Sequence, residues 1–220
     1  MIGADSMHDR RALPRGAVPR RRLGALAGAV ALCCGMAMAG TPARAESADV
    51  AFVHQFGDKL VAVINGPGSA AEKRQQIQPL IDRNVDVDGI AKFAMGRYWK
   101  LASPTQQQQF VTLFHHVLLN TITSRLGEYQ GVRFSVGADT PHGNGQTQVA
   151  TTIDRPGQPS ADVDWVLGHA GGAPRVEDVF GEGVSLSLTQ RQDYASYLSR
   201  NGNDIDKLLD AMRRQAARSS

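Results

Sequence analysis

The sequence has 220 residues, of which 42% are hydrophobic, 20% charged and 6% aromatic, and its formal net charge is +3 at pH 7. This composition excludes collagen-like and wholly disordered chains, and the length allows one domain or two small ones. Seven arginines against Asp5 and Asp9 give residues 1–45 a net charge of +5, so residues 46–220 carry 17 basic and 19 acidic groups, a net charge of −2. Without a local cluster of basic residues, the downstream chain is therefore not expected to bind nucleic acid or anionic vesicles tightly.

The N-terminal segment has the pattern of a secretory signal peptide. Three arginines at 20–22 precede 23–39, an uncharged run of 17 residues that is rich in alanine, glycine, leucine and valine. The small residues that follow predict cleavage after Ala39 or Ala45. A membrane anchor is the alternative, but spanning a bilayer takes about 20 strongly apolar residues. The adjacent arginines leave both the general secretory route and the twin-arginine route open.

Both cysteines of the chain, Cys33 and Cys34, lie inside this apolar run. Leu32 stands where a lipoprotein signal needs a small residue, so lipidation is not expected. Cleavage at either predicted site leaves a chain without cysteine, which excludes disulfides, thiol catalysis and cysteine-based metal sites. Residues 46–220 are enough for a single domain that buries roughly 70% of its unfolded surface.

The first half of the downstream chain is predicted to be helical. Ser47 is placed to cap a first helix, and Ser69 with Glu72 forms a capping box for a second. Ser103 precedes Pro104, which suits the first position of a helix because its missing N–H would be unsatisfied there in any case. The expected helices of this half span 48–64, 70–82, 88–96 and 104–128.

The predicted helix 104–128 has an unusually wide apolar surface. At 100° per residue its apolar side chains spread over roughly 240°, whereas an ordinary surface helix needs a stripe a little over 100° wide. Plain core packing is one interpretation of this excess. The other is a helix that packs on one side and lines a ligand cavity on another.

The second half of the chain changes to the two-residue period of strands. Val149, Thr151 and Ile153 recur at every second position, and turns that contain glycine separate consecutive strands, which predicts a meander of antiparallel hairpins. The expected strands span 132–136, 146–153, 161–167 and 174–180. A helix beginning at Thr189 and a last helix carrying Ile205–Met212 follow. Helices, then a four-stranded sheet, then helices define an α+β fold.

No pattern in residues 46–220 predicts a catalytic, metal or cofactor site. His115 and His116 are adjacent, whereas chelating pairs on a helix are four residues apart. Asp162 and Asp164 share one face of a predicted strand, and paired carboxylates can perform acid–base chemistry. Because Val163 and Trp165 occupy the opposite face, the two aspartates fit the solvated face of a half-buried strand.

Sequence signatures of one family occur in both halves. Residues 176–186 (VEDVFGEGVSL) with 191–198 (RQDYASYL), and residues 90–99 (IAKFAMGRYW) leading to 107–110 (QQQF), resemble the MlaC family, the toluene-tolerance auxiliary proteins. The segments 163–165 and 184–191 are similar to relatives found with hopanoid biosynthesis genes. The similarity runs over about 50–212. Pro174 and Arg175 stand at the start of the last predicted strand, where the family usually has a tryptophan and a basic residue.

The resemblance implies a monomeric periplasmic carrier that holds the acyl chains of a phospholipid or hopanoid between helices and a curved sheet. It further implies partners in both membranes, an inner-membrane ABC transporter complex and an outer-membrane lipoprotein complex, and no catalytic residues, metal or cofactor. The apolar residues then expected at the lipid are Phe93, Tyr98, Trp99, Phe110, Phe114, Val117, Leu118, Val149, Trp165 and Val179.

Two other classes of function stay open from the sequence. The first is a periplasmic enzyme on a cone-shaped α+β scaffold, which would use a pocket acid such as Asp178 or Glu182. The second is an interaction module without ligand, in which the broad helix is only core. A lipid recovered with the protein would favour the carrier over both.

Overall fold

The structure is a computed structural model that describes residues 46–218. The predicted signal peptide and its cleavage sites lie outside the described residues. The helices are α1 (Ala48–Asn65), α2 (Ala70–Asn84), α3 (Val87–Met95), α4 (Pro104–Ser124), α5 (Leu186–Arg200) and α6 (Ile205–Arg218), with 3₁₀ turns at Gly96–Lys100 and Leu126–Tyr129. The strands are β1 (Arg133–Gly143), β2 (Gln146–Asp154), β3 (Ala161–Gly168), β4 (Arg175–Gly181) and β5 (Val184–Ser185). The predicted α+β class is confirmed.

The helix starts follow the capping chemistry read from the sequence. The Ser47 hydroxyl accepts from the N–H of Val50 at 3.2 Å, and Ser69 with Glu72 forms a complete capping box at the start of α2. Ser103 and Gln106 form a second capping box at the start of α4. Each cap satisfies N–H groups that the first turn of a helix leaves without a partner.

The sheet is an antiparallel meander in the order β1-β2-β3-β4-β5. Strand β1 continues to Gly143, beyond the predicted end at Val136, because a register shift after Val136 lets a polar stretch keep pairing with β2. A fifth strand, absent from the prediction, follows β4 through a two-residue turn. Glu182 and Gly183 in that turn both have positive φ, 49° and 77°, as a type I′ hairpin requires.

Several helix limits differ from the prediction. The fourth helix, predicted to run to 128, ends at Ser124, because Arg125 leaves the helical conformation and a 3₁₀ turn follows. The short helix α3 begins at Val87, one residue before the predicted start at 88, because Asp86 is its cap and accepts from the N–H of Gly89. Helix α5 begins at Leu186, three residues before the predicted Thr189, since its start is held by contacts with the end of the sheet.

Strand β4 is fixed to the junction between α2 and α3. Val85 forms a parallel bridge with Val176, and the N–H of Asp86 donates to the Val176 carbonyl at 2.9 Å. The guanidinium of Arg175 donates to the carbonyls of Asp82 and Val85 at 3.0 and 2.6 Å. Arg175 therefore ties the strand to the helices by hydrogen bonds.

Helix α1 packs against β1 and β2, α4 against α6, and α3 against α5. The first contact is close because Gly57 of α1 has no side chain. A Cβ atom at that position would lie 2.2 Å from Cζ of Phe134 on β1, a distance that van der Waals repulsion forbids. The sheet and the helices meet at α1, at the β4–α2 junction and at the start of α5, and the space between these contacts is the candidate site.

Candidate functional site

An apolar cavity of about 480 Å³ lies between the helices and the inner face of the sheet. Residues of α1, α2, α3, α4, β3, β4 and the first turns of α5 contribute to its wall. The side chains that face each other across it include Phe114, Val117, Leu118 and Ile122 on α4 and Trp165 and Val179 on the sheet. The volume falls within the range of about 300–1,000 Å³ that is typical of small-molecule pockets.

Helix α4 explains why an apolar cavity coexists with a packed core. One side of the helix is held to α6, where the amide of Asn120 donates to the carbonyl of Ala216 at 2.8 Å and also accepts from Arg74. Phe110, fully buried, packs against Tyr194 of α5 with ring centroids 5.4 Å apart. Phe114, one turn later, faces the cavity. The wide apolar arc is therefore divided between core and cavity.

The aromatic wall on the sheet side is fixed by two contacts. The indole N–H of Trp165 donates to the hydroxyl of Thr151 at 3.1 Å across β2 and β3. Its ring meets Phe56 of α1 edge-on at 5.7 Å between centroids. An indole bonded at one end and packed against an aromatic ring has little rotational freedom, so this wall is preorganised for a ligand.

The structure brings together half of the residues that the sequence proposes for the lipid. Phe114, Val117, Leu118, Trp165 and Val179 line the cavity. The other five are elsewhere: Phe110, Tyr98 and Val149 are buried in the core, and Phe93 and Trp99 border a separate surface groove. Contact with lipid stays a prediction for the ten.

Several residues that line the cavity are not predicted by the sequence. Phe56 and Leu60 belong to the apolar stripe of α1, and Ile81 and Ile90 lie on α2 and α3. Their spacing is that of ordinary core residues, so no pattern in the sequence separates them from the core. Leu186, at the start of α5, also lines the cavity, although the prediction places this residue before the helix.

Asp178 lies at the polar end of the cavity, where β4 meets α5. One carboxylate oxygen accepts from the N–H groups of Val179 and Ser187, at 2.8 and 3.0 Å, and the other accepts from the hydroxyl of Ser185. Ser185 in turn accepts from the N–H of Leu188 at 3.0 Å. Three donors on one carboxylate hold the start of the helix in place, which is a positioning arrangement.

Asp178 and Glu182, the acids that an enzyme on this scaffold would use, do not lie at one site. Glu182 lies in the β4–β5 turn, where its carboxylate accepts from the N–H of Asp162 at 3.1 Å, and it borders a groove on the opposite face of the sheet together with Asp162 and Asp164. Among residues 46–218 no cluster of three or more potential metal ligands occurs. Burial raises the pKa of Tyr194 in the cavity wall, so its hydroxyl stays neutral.

The domain encloses a preorganised apolar cavity between its helices and its sheet, and the carboxylate at the polar end of this cavity is bonded to the protein itself. These features place it in the class of small-molecule binding proteins. The family comparison is specific: the model of the MlaC protein family matches residues 54–214, and the chain belongs to this family.

Individual relatives are distant. The toluene tolerance protein ttg2D of Pseudomonas putida is 28% identical over 135 residues, which cover 61% of this chain but only 63% of that protein's length. The intermembrane phospholipid transport system binding protein MlaC of Haemophilus influenzae is 22% identical over 184 residues, 80% of this chain and 85% of that protein.

A solved structure shares the fold. The phospholipid-binding protein from Ralstonia solanacearum, determined in complex with a phospholipid, superposes with a TM-score of 0.67 at 23% identity, over 77% of this chain and 97% of that one. At this identity the likeness shows the fold alone, and the ligand of this chain has to be argued from its own cavity.

Proposed function

We propose that the protein is a periplasmic lipid carrier that holds phospholipid acyl chains in the cavity between α4 and the sheet. The observation that carries this proposal is the apolar wall built by Phe114, Val117, Leu118, Trp165 and Val179. The names of the Haemophilus and Ralstonia relatives, which refer to phospholipid transport and phospholipid binding, support a phospholipid as the ligand. A hopanoid is the alternative cargo.

Simple energetics point to a shuttle. Burying one methylene is worth about 0.8 kcal/mol, so two chains of about 15 carbons gain roughly 24 kcal/mol relative to water. The same chains gain a similar amount in a bilayer. Transfer between membrane and protein is then nearly balanced in free energy, whereas release into water is negligible, so loading and unloading require direct contact with a membrane or a partner.

We infer that the partners are an inner-membrane ABC transporter complex and an outer-membrane lipoprotein complex, between which the protein moves as a monomer. Among the described residues no helix is long and apolar enough to cross a membrane. Export by the predicted signal peptide, with cleavage after Ala39 or Ala45, would place the domain in the periplasm. Both cleavage positions precede Ser47, so the cap of α1 is retained in either mature chain.

Mass spectrometry of an organic extract tests the cargo. Protein expressed from the full sequence and purified without detergent should carry about one lipid per chain, and its intact mass should correspond to a chain beginning at Gly40 or Glu46. A polar amide inside an apolar cavity is unfavourable, so Leu118→Asn should lower the lipid content severalfold. Leu113→Asn is the matched control, because Leu113 is a half-buried leucine of the same helix outside the cavity wall.

Each negative result has a definite meaning. An extract without lipid would refute the carrier and favour the interaction module. Equal loss of lipid in both variants would refute the assignment of the cavity. A chain that still begins at Met1 would refute processing and revive the membrane anchor.

A further inference from the structure

A second depression, distinct from the apolar cavity, lies on the surface beside α3 and α5. Its volume is about 480 Å³. Lys92, Arg97, Lys100 and Arg191 supply four positive charges to its rim, and Phe93 and Trp99 supply two aromatic rings. We call these six residues the basic face. No carboxylate lines it, although the downstream chain as a whole carries a net charge of −2.

The four cations of the basic face form no salt bridges within the part of the chain that the structure describes. Arg191 lies over the ring of Phe93 at 4.9 Å, and Arg97 over the ring of Tyr98 at 5.0 Å. Cation–π contacts orient the guanidinium groups but leave their charge in place. The face therefore presents to an outside partner positive charge that no salt bridge of the described residues engages.

Exposed apolar side chains accompany this charge. Phe93 is 42% exposed, Leu101, which follows Lys100 directly, is 71% exposed, and Leu188 is 45% exposed. Leu188 and Arg191 are three residues apart on α5, so they lie on the same side of the helix. Large apolar side chains dispersed among lysines and arginines are the composition of segments that lie in a membrane interface.

The basic face adjoins the cavity through the same two helices. On α3, Ile90 lines the cavity while Lys92 and Phe93 border the groove. On α5, Gln190 lines the cavity while Arg191 borders the groove. A surface that contacted the basic face would therefore touch the helices that form one wall of the cavity.

We propose that the basic face binds the anionic headgroups of a phospholipid membrane, with Phe93, Leu101 and Leu188 entering the interface between headgroups and acyl chains. The four unpaired cations match the negative surface of an anionic membrane. A membrane fits better than an acidic protein because the apolar side chains are scattered around the cations, whereas protein interfaces gather theirs in a packed centre. This inference goes beyond the proposed carrier function, since a lipid can occupy the cavity whether or not this face binds membranes.

Vesicle flotation with the mature chain tests the proposal. Vesicles of phosphatidylcholine with about one third phosphatidylglycerol should carry the protein at low salt and release it as salt screens the charges. Each basic residue near an anionic surface contributes about fivefold to partitioning, so Lys92→Gln with Lys100→Gln should weaken binding about 25-fold. Lys59→Gln with Lys207→Gln is the matched control, because it removes two exposed lysines that lie outside the basic face.

Specific outcomes would overturn the inference. Failure of the wild type to float would replace the membrane by an acidic protein as the partner of this face. Equal weakening in both double variants would show that net charge, not the basic face, attracts the protein. Phe93→Ser should also weaken binding, and an unchanged partition coefficient would contradict the insertion of that ring. Lipid content of the two double-lysine variants, measured by mass spectrometry, should be unchanged, which separates this proposal from the carrier function.

Discussion

Single polar residues set the geometry at the ends of the elements, and only some of them are readable from sequence. Ser47, Ser69 and Ser103 cap the helices as predicted, because the cap and its target N–H are three residues apart and the motif is local. The role of Asp178 was not predictable in this way. Its partners Ser185 and Ser187 lie seven and nine residues later, across a tight turn, so the sequence shows only an acid near an apolar segment.

His169 provides a prediction at this scale. Its Nε2 atom lies 2.8 Å from a carboxylate oxygen of Asp49, in the first turn of α1, and this hydrogen bond raises the pKa of His169. The charged pair therefore stabilises the fold fully below the unfolded pKa of about 6.5, and the contribution is lost as pH rises through the raised folded pKa. We expect His169→Gln to lower the unfolding free energy by about 0.5 kcal/mol at low pH, as for other exposed ion pairs. Above the raised pKa of His169 the loss should be smaller.

Urea unfolding at pH 5.5, 7 and 8.5 measures this effect. The control is His116→Gln, since His116 is an exposed histidine on α4. A stability difference between wild type and His169→Gln that stays constant over this range would contradict the pair as its cause.

At the scale of elements, periodicity gave the types of the helices and strands but not all of their limits. Strand β1 extends beyond Val136 through a bulge that carries no apolar alternation, and α5 begins before Thr189 because tertiary contacts hold Leu186 in the helix. The wide apolar arc of α4 was visible in the sequence. Its division between core and cavity was not, because both environments select the same apolar side chains.

Two phenylalanines on α4 test this division. Phe110 is fully buried against Tyr194, whereas Phe114 is 6% exposed and faces the cavity. Phe110→Ala should cost about 3–5 kcal/mol of unfolding free energy with or without lipid, through lost burial and a new void. In the lipid-free protein Phe114→Ala should cost clearly less unfolding free energy than Phe110→Ala, since a void already adjoins the ring. The lipid-loaded form of Phe114→Ala should lose more than its lipid-free form, because ligand binding is linked to stability.

Denaturant unfolding of the delipidated and the lipid-loaded forms of both variants gives the four unfolding free energies, which are compared with those of the wild type. The matched substitution on one helix keeps changes in helix propensity equal. A loss that is equally large in both forms of Phe114→Ala would assign Phe114 to the core and move the cavity wall elsewhere.

The arrangement of the whole molecule shows features that the net charge and composition of the sequence cannot reveal. The net charge of −2 for residues 46–220 hides a face with four cations, because Arg191 joins Lys92, Arg97 and Lys100 only when α3 packs against α5. The meander order of the sheet was predictable from the turns between strands. The separation between α4 and the sheet was not, since it depends on contacts at α1 and at the β4–α2 junction that are distant in sequence.

The cavity between the layers should tolerate added volume where the core does not. Val117 lines the cavity on α4, whereas Val149 is fully buried in β2 outside it. Val149→Phe should destabilise the protein by about 1–3 kcal/mol through overpacking. Val117→Phe should destabilise the lipid-free form clearly less, since the cavity already provides room beside Val117, while its ring occupies space that the acyl chains need. Its lipid content should fall, and with it the stabilisation that lipid adds to the wild type. Urea unfolding with and without lipid, together with lipid quantification, measures all three effects; an equal cost for the two substitutions would mean that the space beside Val117 is closed to ligand.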